Sequence, residues 1–302
     1  MNPTTTLSPT EIAESVRTTA RPFEVDEQLM YEKFGRESFQ VKHNLTDHPL
    51  LQIERLAQLA DALPPDQAEF TKGKASEILL GGGEQPEEMT AGDVVRGIET
   101  NGMWMVLKRV HTDPEYQALA DWILGNIRSE VVDREGGRVS SECYILISAA
   151  ESVAPSHFDP EYNMLFQIRG TKDLTVGTFT DLETERREAE RYYGGGHRNI
   201  SDLPQNETVY PMEPGIGVHI PAEAPHMVKN GKTWSISLST SFYTRDSARK
   251  VDAYAMNARL RKLHISPTPP GEHPGRDKLK AGTWRGMRNA RNAVRSLAGS
   301  RS

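Results

Sequence analysis

The chain has 302 residues, a net charge of −6 at pH 7, a pI near 5.9 and a mean hydropathy of −0.59. That composition suits a soluble protein, and the length allows one large β-barrel domain or two ordinary domains. The single cysteine, Cys143, excludes an internal disulfide and fits a reducing compartment. No basic leader precedes an apolar run, and no stretch approaches ~18 uninterrupted apolar residues, so a cytoplasmic protein without a membrane span is expected. Charge is unevenly placed: residues 272–302 hold eight Lys/Arg against two Asp/Glu, a net of +6, leaving −12 on residues 1–271.

Residues 1–20 are rich in Thr, Ser and Pro and are expected to fray. In HPLLQIERLAQLADALPP, Ile53, Leu56, Ala57, Ala60 and Leu63 recur at helical spacing. Pro49 suits a first turn there, and Pro64-Pro65 stops the helix. Residues 66–90 are mixed, and Gly81-Gly82-Gly83 reads as a loop. Thr90 caps a short helix through Gly97, and MWMVLKRV at 103–110 reads as a strand. Asp113-Pro114 opens the clearest helix, with Leu119, Trp122, Ile123 and Ile127 on one side. Trp104 and Trp122 are expected in the core.

From about residue 139 short β-rich runs take over: CYILIS, NMLFQIRG, KDLTVGTF, GVHIP and WSISLSTSFY. Closely spaced strands of this kind predict a sandwich or barrel rather than a parallel α/β sheet. The segment Asp181–Val209, which contains a charged, helix-prone DLETERREAER and a GGGHRN loop, reads as an insertion. After Tyr243 helical character returns, and Pro267, Pro269 and Pro270 lead into the basic tail. The fold class is therefore mainly β with flanking helices (α+β). It divides into an N-terminal helical region (1–100), a β core (101–245, insertion 181–209), and a C-terminal helix with the basic tail (246–302).

The strand at 233–243 carries two distinct faces. Trp234, Ile236, Leu238, Thr240 and Phe242 alternate with Ser235, Ser237, Ser239, Ser241 and Tyr243. The bulky face should pack against apolar neighbours, while the small hydroxylated face leaves room and hydrogen-bonding groups in a cavity. A solvated serine face is the competing reading.

The stretch from His157 to Lys172, HFDPEYNMLFQIRGTK, concentrates the chemistry. His157 and Asp159 share a face if the segment is extended. A third ligand is needed from elsewhere, and His226 in GVHIPAEAPH is the candidate. Two imidazoles and one carboxylate on one side of a metal leave the opposite positions open, the facial triad of non-heme Fe(II) sites.

The pattern His157-x-Asp159, Asn163, Gln167, Gly170, Lys172, with His226 five residues after Pro221, resembles the cupin-like, JmjC-type 2-oxoglutarate oxygenases. The family motif H-x-D-x3-N-x3-Q-x2-G-x-K with a later I-P-x4-H is matched at every named position, over roughly residues 140–244. The resemblance implies a double-stranded β-helix (jelly-roll) core. It makes His157, Asp159 and His226 the Fe(II) ligands and catalytic centre. It also implies 2-oxoglutarate as cosubstrate, with Lys172 pairing its far carboxylate and Asn163 orienting it. Ser241 stands where relatives often carry a second Asn. Ala154 stands where they commonly place a hydroxylated residue, and Tyr144 is a candidate for an assisting tyrosine by its chemistry alone. Gln167 also suits strand-end backbone groups, His219 reads as a hydrogen-bonded strand histidine, and His197 reads as a loop residue.

The expected function is an oxygenase using O2 to hydroxylate a C–H bond of a protein side chain, peptide or small molecule, with succinate and CO2 as co-products. The N-terminal region and insertion would form the substrate mouth, with GGGHRN as a lid. The alternative is a cupin-like metal-binding or regulatory module without oxygenase activity. For the arginine-rich tail, a solvated helix or one packed on the acidic body is preferred over contact with nucleic acid. By analogy with relatives, the C-terminal helices could pair two copies of the chain.

Overall fold

A computed structural model describes residues 21–72, 89–200 and 202–299. Residues 1–20 and the loop expected at Gly81–Gly83 lie outside them. Among the described residues twelve strands form two antiparallel sheets. The larger runs β1 (Phe23–Glu24), β2 (Phe39–His43), β10 (Ile216–Ile220), β7 (Tyr162–Arg169), β12 (Ser235–Thr244), β5 (Arg138–Ser148), β4 (Met103–Leu107) and β3 (Ala68–Lys72). The smaller runs β6 (Val153–His157), β11 (His226–Asn230), β8 (Lys172–Thr178) and β9 (Gln205–Met212).

Period-two patterning decides how the sheets pack. Leu165, Val218 and Ile220 of the larger sheet meet Leu174, Val176 and Met212 of the smaller in one buried cluster. The two sheets therefore face each other, as a double-stranded β-helix requires. The alternate residues of the larger sheet, among them Ile145, Ile147, Met164, Phe166, Leu238 and Phe242, join a second and larger cluster on its other face. That face is covered by helices α1 (Glu27–Lys33), α2 (Ile53–Ala62), α3 (Ala91–Arg96), α4 (Ile98–Asn101), α5 (Pro114–Gly125) and α6 (Ser129–Asp133). They contribute Met30, Leu56, Leu59, Val94, Val95, Ile98, Leu119, Ile123 and Val131.

The serine face of β12 points between the sheets and is buried throughout Ser235, Ser237, Ser239 and Ser241. The interior reading of that face holds, and the solvated one does not. Inside, Ser237 donates to the Gln167 side chain at 2.7 Å and Ser239 to that of Asn163 at 2.9 Å. A polar lining in an interior needs such partners.

Caps account for most helix starts. Thr90 and Asp93 form a reciprocal capping box at α3, and Asp113 accepts the Glu115 amide at α5 with Pro114 behind it. Other elements depart from expectation for local reasons. Pro49 opens a separate 3-10 turn, Pro49–Leu51, because Gln52 is extended and breaks it from α2. The strand expected to run to 110 stops at Leu107, and Arg109 then turns into the left-handed region at φ 51°. Trp104 and Trp122 are half-buried rather than fully interior. Strand β9 begins at Gln205, inside the stretch expected as an insertion, and pairs with β8. The rest of that stretch holds α7 (Leu182–Tyr193).

Helix α7 lies against α8 (Arg245–Lys262), where Tyr193 stacks on Tyr254 at 5.7 Å between ring centres. Helix α9 (Pro274–Gly299) follows, and its Arg288 reaches the buried Asp252 of α8 at 3.1 Å, with Arg285 on the same carboxylate. Part of the basic tail is thus neutralised by the body of the protein. No helix among the described residues is long and apolar enough to cross a membrane.

Candidate metal centre

His157 is the last residue of β6 and His226 the first of β11, and the two are direct partners across the ladder. Opposite residues in an antiparallel pair share a face, so the rings meet 4.2 Å apart. Residues 158–161 leave the strand, and Asp159 returns to the histidines from that turn. A bend, rather than strand alternation, makes this pair convergent. One ligand atom from each of His157, Asp159 and His226 lies within 4.8 Å of the other two.

Second partners fix each donor. His157 Nδ1 donates to the Pro155 carbonyl at 2.7 Å and His226 Nδ1 to that of Ala224 at 2.9 Å. A carbonyl accepts only, so both protons sit on Nδ1 and both Nε2 lone pairs are left for an ion. Asp159 is held twice: its carbonyl accepts the Glu223 amide at 2.7 Å, and its Oδ1 accepts from Arg198 Nη1 at 2.6 Å. Its Oδ2 lies 3.6 Å from His226 Nε2.

Electrostatics suit a cation. Burial lowers His157 well below the ordinary histidine value, helped by repulsion from His226 and Arg198, and burial lowers His226 too. Burial alone would raise Asp159, but Arg198 and the imidazoles hold it well below the usual carboxylate range. The donor set is therefore two neutral imidazoles and one carboxylate. A divalent ion there would keep a charge of about +1 and open positions opposite the protein ligands.

The cosubstrate candidates lie on inner strands. Lys172 opens β8 at 5 % exposure, on the same side as the interior residues Leu174 and Val176. No carboxylate pairs with it among the described residues, and burial drops its ammonium to about 7. Asn163 and Ser241 face each other across β7 and β12. The Ser241 hydroxyl is buried without a protein partner among the described residues. Tyr144 sits opposite Ser239, and its hydroxyl donates to the Glu142 carboxylate. Ala154 is half-buried in β6 and adds only a methyl group.

The remaining motif residues take the structural roles that their surroundings dictate. Gln167 Nε2 donates to the carbonyls of Arg169 and Gly170 at 2.7 and 3.1 Å, at the end of its strand. His219 is fully buried, stacks on Phe34 at 4.4 Å and accepts the Gly35 amide at 3.1 Å, so it is no fourth ligand. His197 accepts the Asn199 amide within its loop.

Three charged residues at the centre escaped the sequence reading. Arg198 binds Asp159, and Glu223 holds the Asp159 backbone. Glu161 accepts from the Tyr243 hydroxyl at 3.0 Å, and burial and the nearby Asp159 charge push it up to about 8. No spacing rule singles these out; the available signal was an arginine following three loop glycines, Gly194–Gly196.

The architecture is a double-stranded β-helix with flanking helices, the fold also found in solved oxygenase structures. Among solved structures, the chain is similar to the Escherichia coli ribosomal oxygenase YcfD, with a TM-score of 0.50 at 15% identity. The match covers 87% of this chain and 66% of YcfD, so the chain spans a little under two thirds of that protein's length. A structure of YcfD in complex with cobalt and 2-oxoglutarate gives a TM-score of 0.49 at 16% identity, with the same coverage of 87% and 66%. No family model and no curated protein sequence matches the chain.

Proposed function

We propose that the protein is an Fe(II)- and 2-oxoglutarate-dependent oxygenase that hydroxylates a C–H bond of a protein side chain, a peptide or a small molecule. One observation carries the reading. The same barrel holds three convergent, pre-oriented donors and a buried ammonium that no carboxylate pairs with among the described residues. The shared fold with a ribosomal oxygenase supports the class.

His157, Asp159 and His226 would hold the metal, and Lys172 would pair the far carboxylate of 2-oxoglutarate. An unpaired buried charge is costly, and a dicarboxylate supplies the missing partner. Asn163 and the unpartnered Ser241 hydroxyl would orient the keto-acid end, with Tyr144 as a further phenolic contact. Iron with 2-oxoglutarate and O2 supplies the oxidation when bound, giving succinate and CO2 beside the product. The exposed apolar residues Leu279, Met287 and Val294 of α9 favour a homodimer through the C-terminal helices. A cytoplasmic location completes the reading.

Purified protein given Fe(II), 2-oxoglutarate and ascorbate is expected to form succinate, and Asp159→Ala to hold no iron and form none. Absence of both succinate and 2-oxoglutarate binding overturns the oxygenase. Ala154 favours one second reading, a metal-binding module without oxygenase activity, because it removes a hydroxyl contact to the cosubstrate. Iron bound by the wild type without 2-oxoglutarate affinity would select that module.

A further inference from the structure

Arg198 stands at the metal centre and belongs to no part of the motif. The loop that carries it is built rather than loose. Arg191 of α7 donates Nη1 to the His197 carbonyl at 2.6 Å and Nη2 to the Asn199 carbonyl at 2.8 Å. On the other side the Ile200 amide donates to the Ser156 carbonyl at 3.0 Å, and Asn199 bridges to His157 itself. The Arg198 backbone is therefore pinned between α7 and β6, the strand that presents the first ligand. From there its guanidinium reaches Asp159 Oδ1 at 2.6 Å, while Oδ2 is the oxygen turned toward His226.

Resting on the metal-centre reading above, we propose that Arg198 is a positioning residue: by occupying Oδ1 it makes Asp159 a ligand through Oδ2 alone. The consequence is geometric. A carboxylate that took the ion with both oxygens would fill one of the positions that a facial triad keeps open for small-molecule ligands. A fixed guanidinium denies it that freedom and sets the carboxylate plane before the ion arrives. The guanidinium and the ion carry like charge, which opposes binding. Arg198 is already paired with the Asp159 carboxylate, which offsets its charge, so orientation is the effect expected to dominate. The insertion 181–200 becomes part of the metal site rather than only a rim of the mouth.

Metal-free full-length protein would be titrated with Mn(II), the free ion being followed by electron paramagnetic resonance, in wild type, Arg198→Met, Arg198→Lys and Asp159→Ala. Arg198→Met keeps the aliphatic length and removes the donors; it is expected to weaken Mn(II) binding about 10–100-fold. Arg198→Lys restores a charged donor and is expected to recover much of that loss. Arg198→Met binding within about twofold of wild type overturns the proposal, well short of what losing such a partner costs. Arg198→Lys as weak as Arg198→Met also overturns it, because loop collapse would then explain both. A wild type that binds Mn(II) no better than Asp159→Ala removes the metal-centre reading itself, and this inference with it.

Discussion

At the scale of single residues, Lys172 shows what an unanswered charge costs and how it can be measured. The residue is 5 % exposed, and burial lowers its ammonium from 10.5 to about 7. Keeping it protonated at neutral pH or below costs on the order of 5 kcal/mol in the folded state relative to the unfolded one. The unfolded chain holds this proton up to about 10.5 while the folded chain releases it near 7, so the unfolded state binds more protons between those values. Stability of the ligand-free protein should therefore rise with pH across that window, by up to roughly 1.4 kcal/mol per pH unit from this group. Below 7 the contribution is flat and the full penalty stands. Lys172→Met removes the penalty, so it should stabilise the ligand-free protein by a few kcal/mol at pH 7 and flatten the slope. It should also abolish 2-oxoglutarate binding. Urea unfolding at pH 7 and 9, with calorimetric titration of 2-oxoglutarate, checks both halves; a Lys172→Met variant that is less stable and still binds contradicts them.

At the scale of elements, the turn from β7 to β8, which carries the chain from the larger sheet to the smaller, sets where Lys172 enters the barrel. Gly170 makes that turn at φ +69°, and a Cβ there would lie 2.3 Å from the Trp234 carbonyl oxygen. Gly170→Ala combines left-handed strain with a backbone clash and should cost about 3 kcal/mol. Gly195 is also left-handed, at φ +103°, but a Cβ there meets nothing within 4 Å. Gly195→Ala should cost only about 1 kcal/mol, the conformational part alone. Equal shifts of the two denaturant midpoints would refute the steric argument. These elements also mark how far the sequence could be read. The alternation of β12 from Ser235 to Thr244 was legible, faces included, because its two buried faces differ in chemistry, one apolar and one hydroxylated. The cluster of His157, Asp159 and His226 was legible as residue types, yet Asp159 reaches it by a bend that no periodicity encodes. Strand β2, Phe39–His43, was not seen; its partner β10 lies more than 170 residues away, and a five-residue run has little pattern of its own. Arg198 was missed for a similar reason, since its meaning lies in a contact across 39 positions.

At the scale of the whole molecule, the turn that carries Asp159 is tied to α7 and α8 through Glu223. This residue sits between β10 and β11 in the left-handed region, at φ 63°, a conformation that non-glycine residues adopt only under constraint. Its amide holds the Asp159 carbonyl at 2.7 Å. Its carboxylate accepts from the Tyr193 hydroxyl of α7 at 2.7 Å and from the Lys250 ammonium of α8, which also reaches Glu185 of α7 at 3.3 Å. The Glu223 side chain is 9 % exposed and that of Lys250 38 %, so solvent screens part of the pair. Removing either partner leaves the other side chain with a single remaining hydrogen-bond partner, Tyr193 for Glu223 and Glu185 for Lys250. Glu223→Ala should therefore cost about 2–3 kcal/mol, below the full value for a wholly buried pair. Lys250→Met should cost a similar amount, because it leaves a buried carboxylate with only the neutral Tyr193 hydroxyl. The double variant should fall short of the sum by about 1 kcal/mol or more, since the second change removes the charge that the first exposed. A double-mutant cycle by urea denaturation, run with and without Mn(II), measures that coupling. If Glu223 braces Asp159 for the ion, each single variant should also lose part of the stabilisation that Mn(II) gives the wild type; strictly additive costs with undiminished Mn(II) stabilisation would mean that α7 and α8 merely pack beside the barrel.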